Sequence, residues 1–343
     1  MNSEHQKDTN QEWDKTISKL KERSHLVFLG AGATMAAILN GDKNGNKCSV
    51  MNNFLEELNL LPLIDNCNIK TTSQNLEDIY SELYERKEYV KVRKTLEKNI
   101  FDYFSKLRLP DKATIYDYLI LCLTKKDLIA TFNWDPLLIE AYNRVIDLGF
   151  PEKKLPRLAF LHGNVSAGIC PACKNYGHIE SHCKKCGLDY VNTKLLFPIK
   201  KKNYSSDEFI YKQWQLVKKY IDYAGIITFF GYSAPESDID AMDLIRSIYN
   251  KENNGHRLDR IEIIDIADQN KLWKKWGNFY HIDASFLKIT DSFWKSYITK
   301  FPRATVKRYV ESEIESPQFI GPSIIPMERT LTELKTLFDP FIY

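Results

Sequence analysis

Short apolar runs that end on a glycine, a turn or a polar residue constrain this chain more than any other feature. They read HLVFLG, DLIATF, RLAFLH, KLLFPI, AGIITFFG and RIEIIDIA, and most are separated by amphipathic segments. Unbroken apolar runs of this length suit strands covered on both faces. Strands alternating with helices predict an α/β fold on a mostly parallel sheet with helices on both faces. Ahead of the first run, Trp13, Ile17 and Leu20 recur at helical spacing, so a helix should lead into that strand. Between Val50 and Leu107 the text is charged and helix-forming, which predicts a helical insertion of one long helix or two. The C-terminal LTELKTLFDPFIY reads as an apolar-faced helix that packs on the core or on a neighbouring subunit.

At 343 residues, 43% hydrophobic and 27% charged, the chain can bury a sizeable core as one large domain, alone or with a smaller one. The first fifteen residues lack the apolar core of a signal peptide, and no stretch reaches the roughly 18 apolar residues of a membrane span. A cytoplasmic protein with no membrane partner is expected. The net charge of +3 is too small to advertise nucleic acid, and Lys200, Lys201 and Lys202 read as a solvated loop.

Four of the seven cysteines, Cys170, Cys173, Cys183 and Cys186, fall as C-x2-C-x9-C-x2-C. In a reducing compartment that spacing favours a metal over a disulfide framework. Four thiolates complete a tetrahedron and leave no position for water, so a structural Zn2+ is expected. The intervening KNYGHIESH suits a small zinc knuckle; His178 and His182 are alternative ligands, with loop histidines the preferred reading.

Parallel sheets bind ligands beyond the carboxyl ends of their strands, so strand ends carry the candidate chemistry. The first run ends in Gly30, Ala31, Gly32, Ala33 and Thr34, where small residues let backbone N–H groups approach a phosphate; a tight structural turn explains them equally well. The second leads to Asn133, Trp134 and Asp135; Asp135 before Pro136 is a good helix start, while Asn133 is either a ligand contact or a turn-stabilising amide. The third delivers His162 and Gly163, a structural histidine or a general base. Gly231, Tyr232 and Ser233 leave a later strand, with Ser237 placed to cap the next helix, and Asp265 and Asp268 follow IEIIDIAD as ribose ligands or as caps.

The order of these signals, GAGAT, NWD, HG, the four cysteines, GYS and IDIAD, resembles that of the sirtuin superfamily over roughly residues 25 to 285. The resemblance implies a Rossmann-like NAD+-binding domain (1–49, 108–165 and 190–343), a helical insertion (50–107) and a zinc knuckle (166–189). It also implies that Gly30, Ala31, Gly32, Ala33 and Thr34 hold the diphosphate, Asn133 meets the ribose or a water, and Asp135 the nicotinamide amide. His162 would be the base, Gly231, Tyr232 and Ser233 would line the nucleotide, and Asp265 or Asp268 would take the adenosine ribose. Where protein deacylases continue the glycine turn with their own run and carry a phenylalanine-glycine-glutamate segment, this chain reads MAAILNGDKNG and LLFPIKKKNY. It looks more like the NAD+ hydrolases of bacterial antiphage defence. That implies cleavage of NAD+ to nicotinamide and ADP-ribose, gated by assembly into a homo-oligomer or by a separately encoded ATPase or phage sensor. A deacylase and a non-catalytic NAD+, ADP-ribose or nucleic-acid binder are the alternatives.

Overall fold

The computed structural model describes residues 2–48, 54–199, 202–205, 207–249, 260–280, 286–315, 325 and 329–342. Its strands are β1 (Ser24–Leu29), β2 (Leu128–Thr131), β3 (Arg157–Phe160), β4 (Ala167–Ile169), β5 (Tyr176–His178), β6 (Val191–Asn192), β7 (Ala224–Phe230), β8 (Arg260–Ile264) and β9 (Leu287–Thr290). Six form one sheet in the order β3-β2-β1-β7-β8-β9, and every neighbouring pair is parallel. Counted along the chain this is the order 3-2-1-4-5-6, which reverses direction between β1 and β7 and opens a crevice there at the carboxyl ends. Every residue of β1 and β7 is buried, as central parallel strands require.

The α/β fold read from the sequence is therefore the fold observed, with two changes of detail. KLLFPI is not a strand; Pro198 removes a ladder N–H, and Leu195 and Leu196 are buried in an irregular segment whose Phe197 stacks on Tyr80 at 5.2 Å. The sixth strand is β9, whose LKIT is short, half-buried and on the sheet edge, so it shows no apolar run. In the first helix (Asn2–Lys21) Ile17 and Leu20 are buried as expected, but Trp13 is 52% exposed.

The insertion holds two main helices, Leu76–Glu85 and Val90–Ser105, separated by a short turn. Asn75 caps the first by accepting from the Glu77 N–H. Leu76, Leu83, Leu96 and Ile100 join the same apolar core as the sheet. The C-terminal helix Leu331–Ile342 adds Leu334 and Phe338 to that core. β4, β5 and β6 form a separate small antiparallel sheet, ordered β5-β4-β6.

One row of polar side chains crosses the main sheet. Lys288 Nζ donates to Glu262 Oε1 at 2.9 Å, Thr228 Oγ1 donates to Glu262 Oε2 at 3.1 Å, and His25 Nε2 lies 2.7 Å from Thr228 Oγ1. Since the single hydroxyl proton of Thr228 goes to the carboxylate, His25 must donate through Nε2. That leaves His25 Nδ1 buried without a partner. Burial, seconded by Lys126 and Lys288, drives the imidazole pKa down to about 3.

A histidine neutral in the fold and protonated below about pH 6.5 when unfolded gives stability that is complete above pH 6.5 and lost as pH falls toward 3. His25→Gln, which keeps a donor for Thr228, should flatten the acid side of the melting-temperature profile. An acid slope as steep as that of the native chain would exclude His25 as its source.

Candidate active site

The turns after β1 and β7 interlock. The Gly30 N–H donates to the Phe230 carbonyl at 3.0 Å and the Gly32 N–H to the Gly231 carbonyl at 2.9 Å. A Cβ on Gly30 would lie 2.5 Å from Gly231 O, and one on Gly231 would lie 2.3 Å from the Ala33 nitrogen, at a φ of +59°. The glycines thus serve contact between two turns, and two of the N–H groups expected to face a phosphate are already engaged. The helix that follows, Ala31–Ala37, places Ala33 and Thr34 in the interior.

Thr34 is the centre of a closed network at the end of β2. Its hydroxyl donates to Asp135 Oδ2 at 2.7 Å and accepts from Asn133 Nδ2 at 2.9 Å. With that proton committed, Tyr116 must be the donor in its 2.9 Å contact with Thr34. Asn133 Nδ2 also donates to the Gly30 carbonyl at 2.8 Å, which fixes the amide orientation and turns Oδ1 away from these partners. Asp135 Oδ1 accepts from the Leu137 N–H at 3.1 Å, so Asp135 holds the start of the helix Leu137–Asp147 as well as Thr34. The helix itself begins one residue later than the Asp-Pro reading placed it, with Pro136 at the N-cap. Burial raises the Asp135 pKa to about 6 against the hydrogen bonds from Thr34 and Leu137. Thr34 and Asp135 therefore orient Asn133, and neither has a free side-chain oxygen aimed at a ligand.

His162 lies at the end of β3, only 5% exposed. Gly163 takes a φ of +82°, and a Cβ there would lie 2.1 Å from the Lys194 carbonyl, so glycine lets the segment after β6 pass across the strand end. The Leu196 N–H then donates to the His162 carbonyl at 2.8 Å. The imidazole meets the Phe132 ring edge-on at 5.1 Å and stacks against Tyr204 at 6.1 Å. Its Nε2 is 3.5 Å from Asp238 Oδ1, short of a hydrogen bond.

Asp238 is the buried hub that the sequence reading did not single out. It pairs with Lys202 Nζ and accepts from the Tyr232 hydroxyl at 2.8 Å. Burial opposes its charge, but the neighbouring His162 imidazole, the Lys202 ammonium and the Tyr232 hydroxyl hold its pKa below the ordinary carboxylate range. Lys202 is 8% exposed, which corrects its reading as part of a solvated cluster; Lys200 and Lys201 lie outside the described residues. Tyr232 points inward and stacks on Phe132 at 4.3 Å. Phe132 and Asn133, consecutive in sequence, thus sort two networks: the first touches the His162 side, the second the glycine turn. Burial first, then Lys202, lowers the His162 pKa to about 3 against the pull of Asp238.

Beyond β7 and β8, Ser233 is exposed and its carbonyl accepts from Lys275. Asp265 Oδ1 accepts from the Ala267 N–H at 2.9 Å, and Asp268 caps the helix Gln269–Tyr280 by accepting from the Lys271 N–H at 3.0 Å. Ser237 does not cap the helix after it; its buried hydroxyl has no hydrogen-bond partner within the short turn Glu236–Asp238.

In the small sheet, the sulfurs of Cys170, Cys173, Cys183 and Cys186 lie within 4.8 Å of one another, with Cys170 and Cys186 3.4 Å apart. Zn–S bonds near 2.3 Å would set tetrahedral sulfurs about 3.8 Å apart, so the set fits a structural Zn2+. The Cys173 N–H points at the Cys170 sulfur at 3.3 Å. His178 and His182 stand outside the cluster, the latter paired with Asp189 at 2.5 Å. The local core is little more than Cys170, Cys183 and Tyr190, too small to order this segment without a metal.

No protein-family model matches the chain, and no curated protein matches it. Solved structures that match include a Sir2 homolog in complex with NAD, at 14% identity over 87% of this chain and 92% of that one, TM-score 0.40. Another is Sir2 bound to acetylated peptide, at 14% identity over 87% and 97%, TM-score 0.37. The chemistry of the site is carried by its own residues. Among the described residues no helix is long and apolar enough to cross a membrane.

Replacing Lys202 by Met removes the cation beside the imidazole and leaves Asp238 facing Nε2. The His162 pKa should then rise above about 3, with burial still holding it below 6.5. A proton NMR titration of the imidazole reads this directly, and a value still near 3 would sink the pairing argument. Cys170→Ser should abolish binding of about one zinc per chain by elemental analysis and lower the melting temperature by roughly 5 °C or more. A metal-free chain that melts like the native one would remove the zinc from the account.

Proposed function

We propose that this chain hydrolyses the nicotinamide N-glycosidic bond of NAD+, giving nicotinamide and ADP-ribose, as an NAD+-depleting effector of antiphage defence. The observation that carries this reading is a neutral histidine at the carboxyl end of β3, on the face of a 3-2-1-4-5-6 sheet where dinucleotides bind. The loop Gly30–Thr34 and the turn Gly231–Ser233 flank the diphosphate, and Asp265 or Asp268 takes the adenosine ribose.

In the reaction the bond between the ribose anomeric carbon and the pyridinium nitrogen breaks, and its electron pair neutralises the ring. Nicotinamide leaves uncharged, so no general acid is required. A water oxygen bonds to the anomeric carbon, and its proton passes to the neutral His162 imidazole. Asn133, its Nδ2 spent on Gly30 and Thr34, offers Oδ1 to the water or to the ribose hydroxyls. Thr34, Tyr116 and Asp135 hold that carboxamide in place.

An imidazole with a pKa near 3 is a weak base, and at 5% exposure it is out of reach of a dinucleotide. Separation of Lys202 from Asp238 removes the cation that, after burial, lowers that pKa, and leaves Asp238 to favour the imidazolium. This suits an activity that must be held off until it is called on, by assembly of copies or by a separate partner protein.

Nicotinamide release from NAD+, followed by mass spectrometry with and without acetylated peptide, tests the reading. Release should be independent of peptide, higher in Lys202→Met, and reduced about 10² to 10⁴-fold in His162→Ala. Release that needs the peptide would make the chain a deacylase. No release from either the native chain or Lys202→Met would leave a binding protein.

A further inference from the structure

A cavity of about 650 Å3 lies outside the dinucleotide crevice, between the two insertion helices and residues 192–197, 199, 202 and 203. Tyr80, Tyr84 and Phe197 give it aromatic walls, and Tyr84 is 50% exposed although its ring is large and apolar. Lys94, Lys98 and Lys194 stand at its rim, and none of the three belongs to an ion pair among the described residues. Lys94 and Lys98 are four residues apart on one helix, so their like charges oppose helix formation while facing the same opening. The acid in the lining, Glu97, is engaged by the Tyr80 hydroxyl at 2.5 Å. Arg93 lies over one face of the Tyr84 ring at 4.7 Å and leaves the other for a ligand.

A space of this size suits a small molecule. Exposed aromatic faces offer a stacking platform for a base, and unpaired ammonium groups offer partners for phosphate oxygens. We infer that this cavity is a second ligand site, for a small phosphorylated nucleotide whose base stacks on Tyr84 and whose phosphates are held by Lys94, Lys98 and Lys194. A lysine-rich peptide is a poor occupant, because the rim repels it.

Lys202 is a wall of this cavity and also the partner of Asp238 beside His162. A phosphate bound here competes with Asp238 for that ammonium, so occupancy weakens the ion pair beside the histidine. This consequence, unlike the site itself, rests on the NAD+ hydrolase reading.

Calorimetric titration of the full chain with ADP tests the site, with adenosine and inorganic pyrophosphate as part-ligands. ADP should bind, and each part-ligand should bind at least about tenfold more weakly. Lys94→Glu with Lys98→Glu should weaken ADP binding at least about tenfold at an unchanged melting temperature. Tyr84→Ala, at a half-exposed position, should weaken it too should the double variant fold poorly. Asp265→Ala, in the dinucleotide crevice, should remove at most the crevice's own share of ADP binding and leave the share that the lysine double variant loses. ADP binding that survives both cavity changes undiminished, that Asp265→Ala alone removes, or that adenosine matches overturns the proposal. The titration needs no turnover, so a chain inert toward NAD+ can still bind ADP here, and an active one can fail to. In an active chain ADP should also raise NAD+ cleavage, and a double variant that responds as strongly as the native chain would separate this cavity from His162.

Discussion

The distance between two backbone turns governs the carboxyl-end face of the main sheet. Gly30, Gly32 and Gly231 let the ends of β1 and β7 approach until each leaves no room for a Cβ on the other. That contact sets where Thr34 sits, because the helix Ala31–Ala37 starts from the interlocked turn. Thr34 in turn gathers Asn133, Asp135 and Tyr116 through one hydroxyl. A side chain at any of the three glycines would push the strand ends apart and dissolve the network before it touched a substrate.

Two buried polar groups share this face without sharing partners. The Thr34 network is closed, every hydrogen-bond direction fixed by the one before it. The Asp238 group is open at one point, since His162 Nε2 sits near a carboxylate that is already committed to Lys202 and Tyr232. Breaking one partner out of a buried ion pair costs about 3–5 kcal/mol, so the closed state is a defined arrangement and not a loose one. A rigid half thus lies beside a half in which the His162 Nε2 has no hydrogen-bond partner.

Much of the fold was legible because its signals are local. The runs that became β1, β2, β7 and β8 are apolar in sequence since both faces of each strand are covered, while β3, on the sheet edge, is buried at Ala159 and Phe160. KLLFPI misleads for the same reason: burial under the insertion helices demands the same composition as burial in a sheet. The cysteine cluster was readable to the residue, as two tight C-x2-C turns need no knowledge of the rest of the chain. The partners of His162 were not. An aspartate in a short turn and a lysine in a run of three look solvated, and only the tertiary path that brings Lys202 over Asp238 buries both. Tyr116 hid among the apolar residues of its helix, its hydroxyl meaningless until Thr34 was beside it.

The polar row through the sheet has a consequence for how the strands find one another. Thr228 stands directly across from Glu262, and Glu262 across from Lys288, at matching positions of β7, β8 and β9. Sliding any of these strands by a single residue would turn its polar member toward the opposite, apolar layer and strand a carboxylate or an ammonium in oil. Greasy strands alone would pair almost equally well in several alignments; these few charged and hydroxylic atoms act as an alignment key, rejecting every near-miss during assembly.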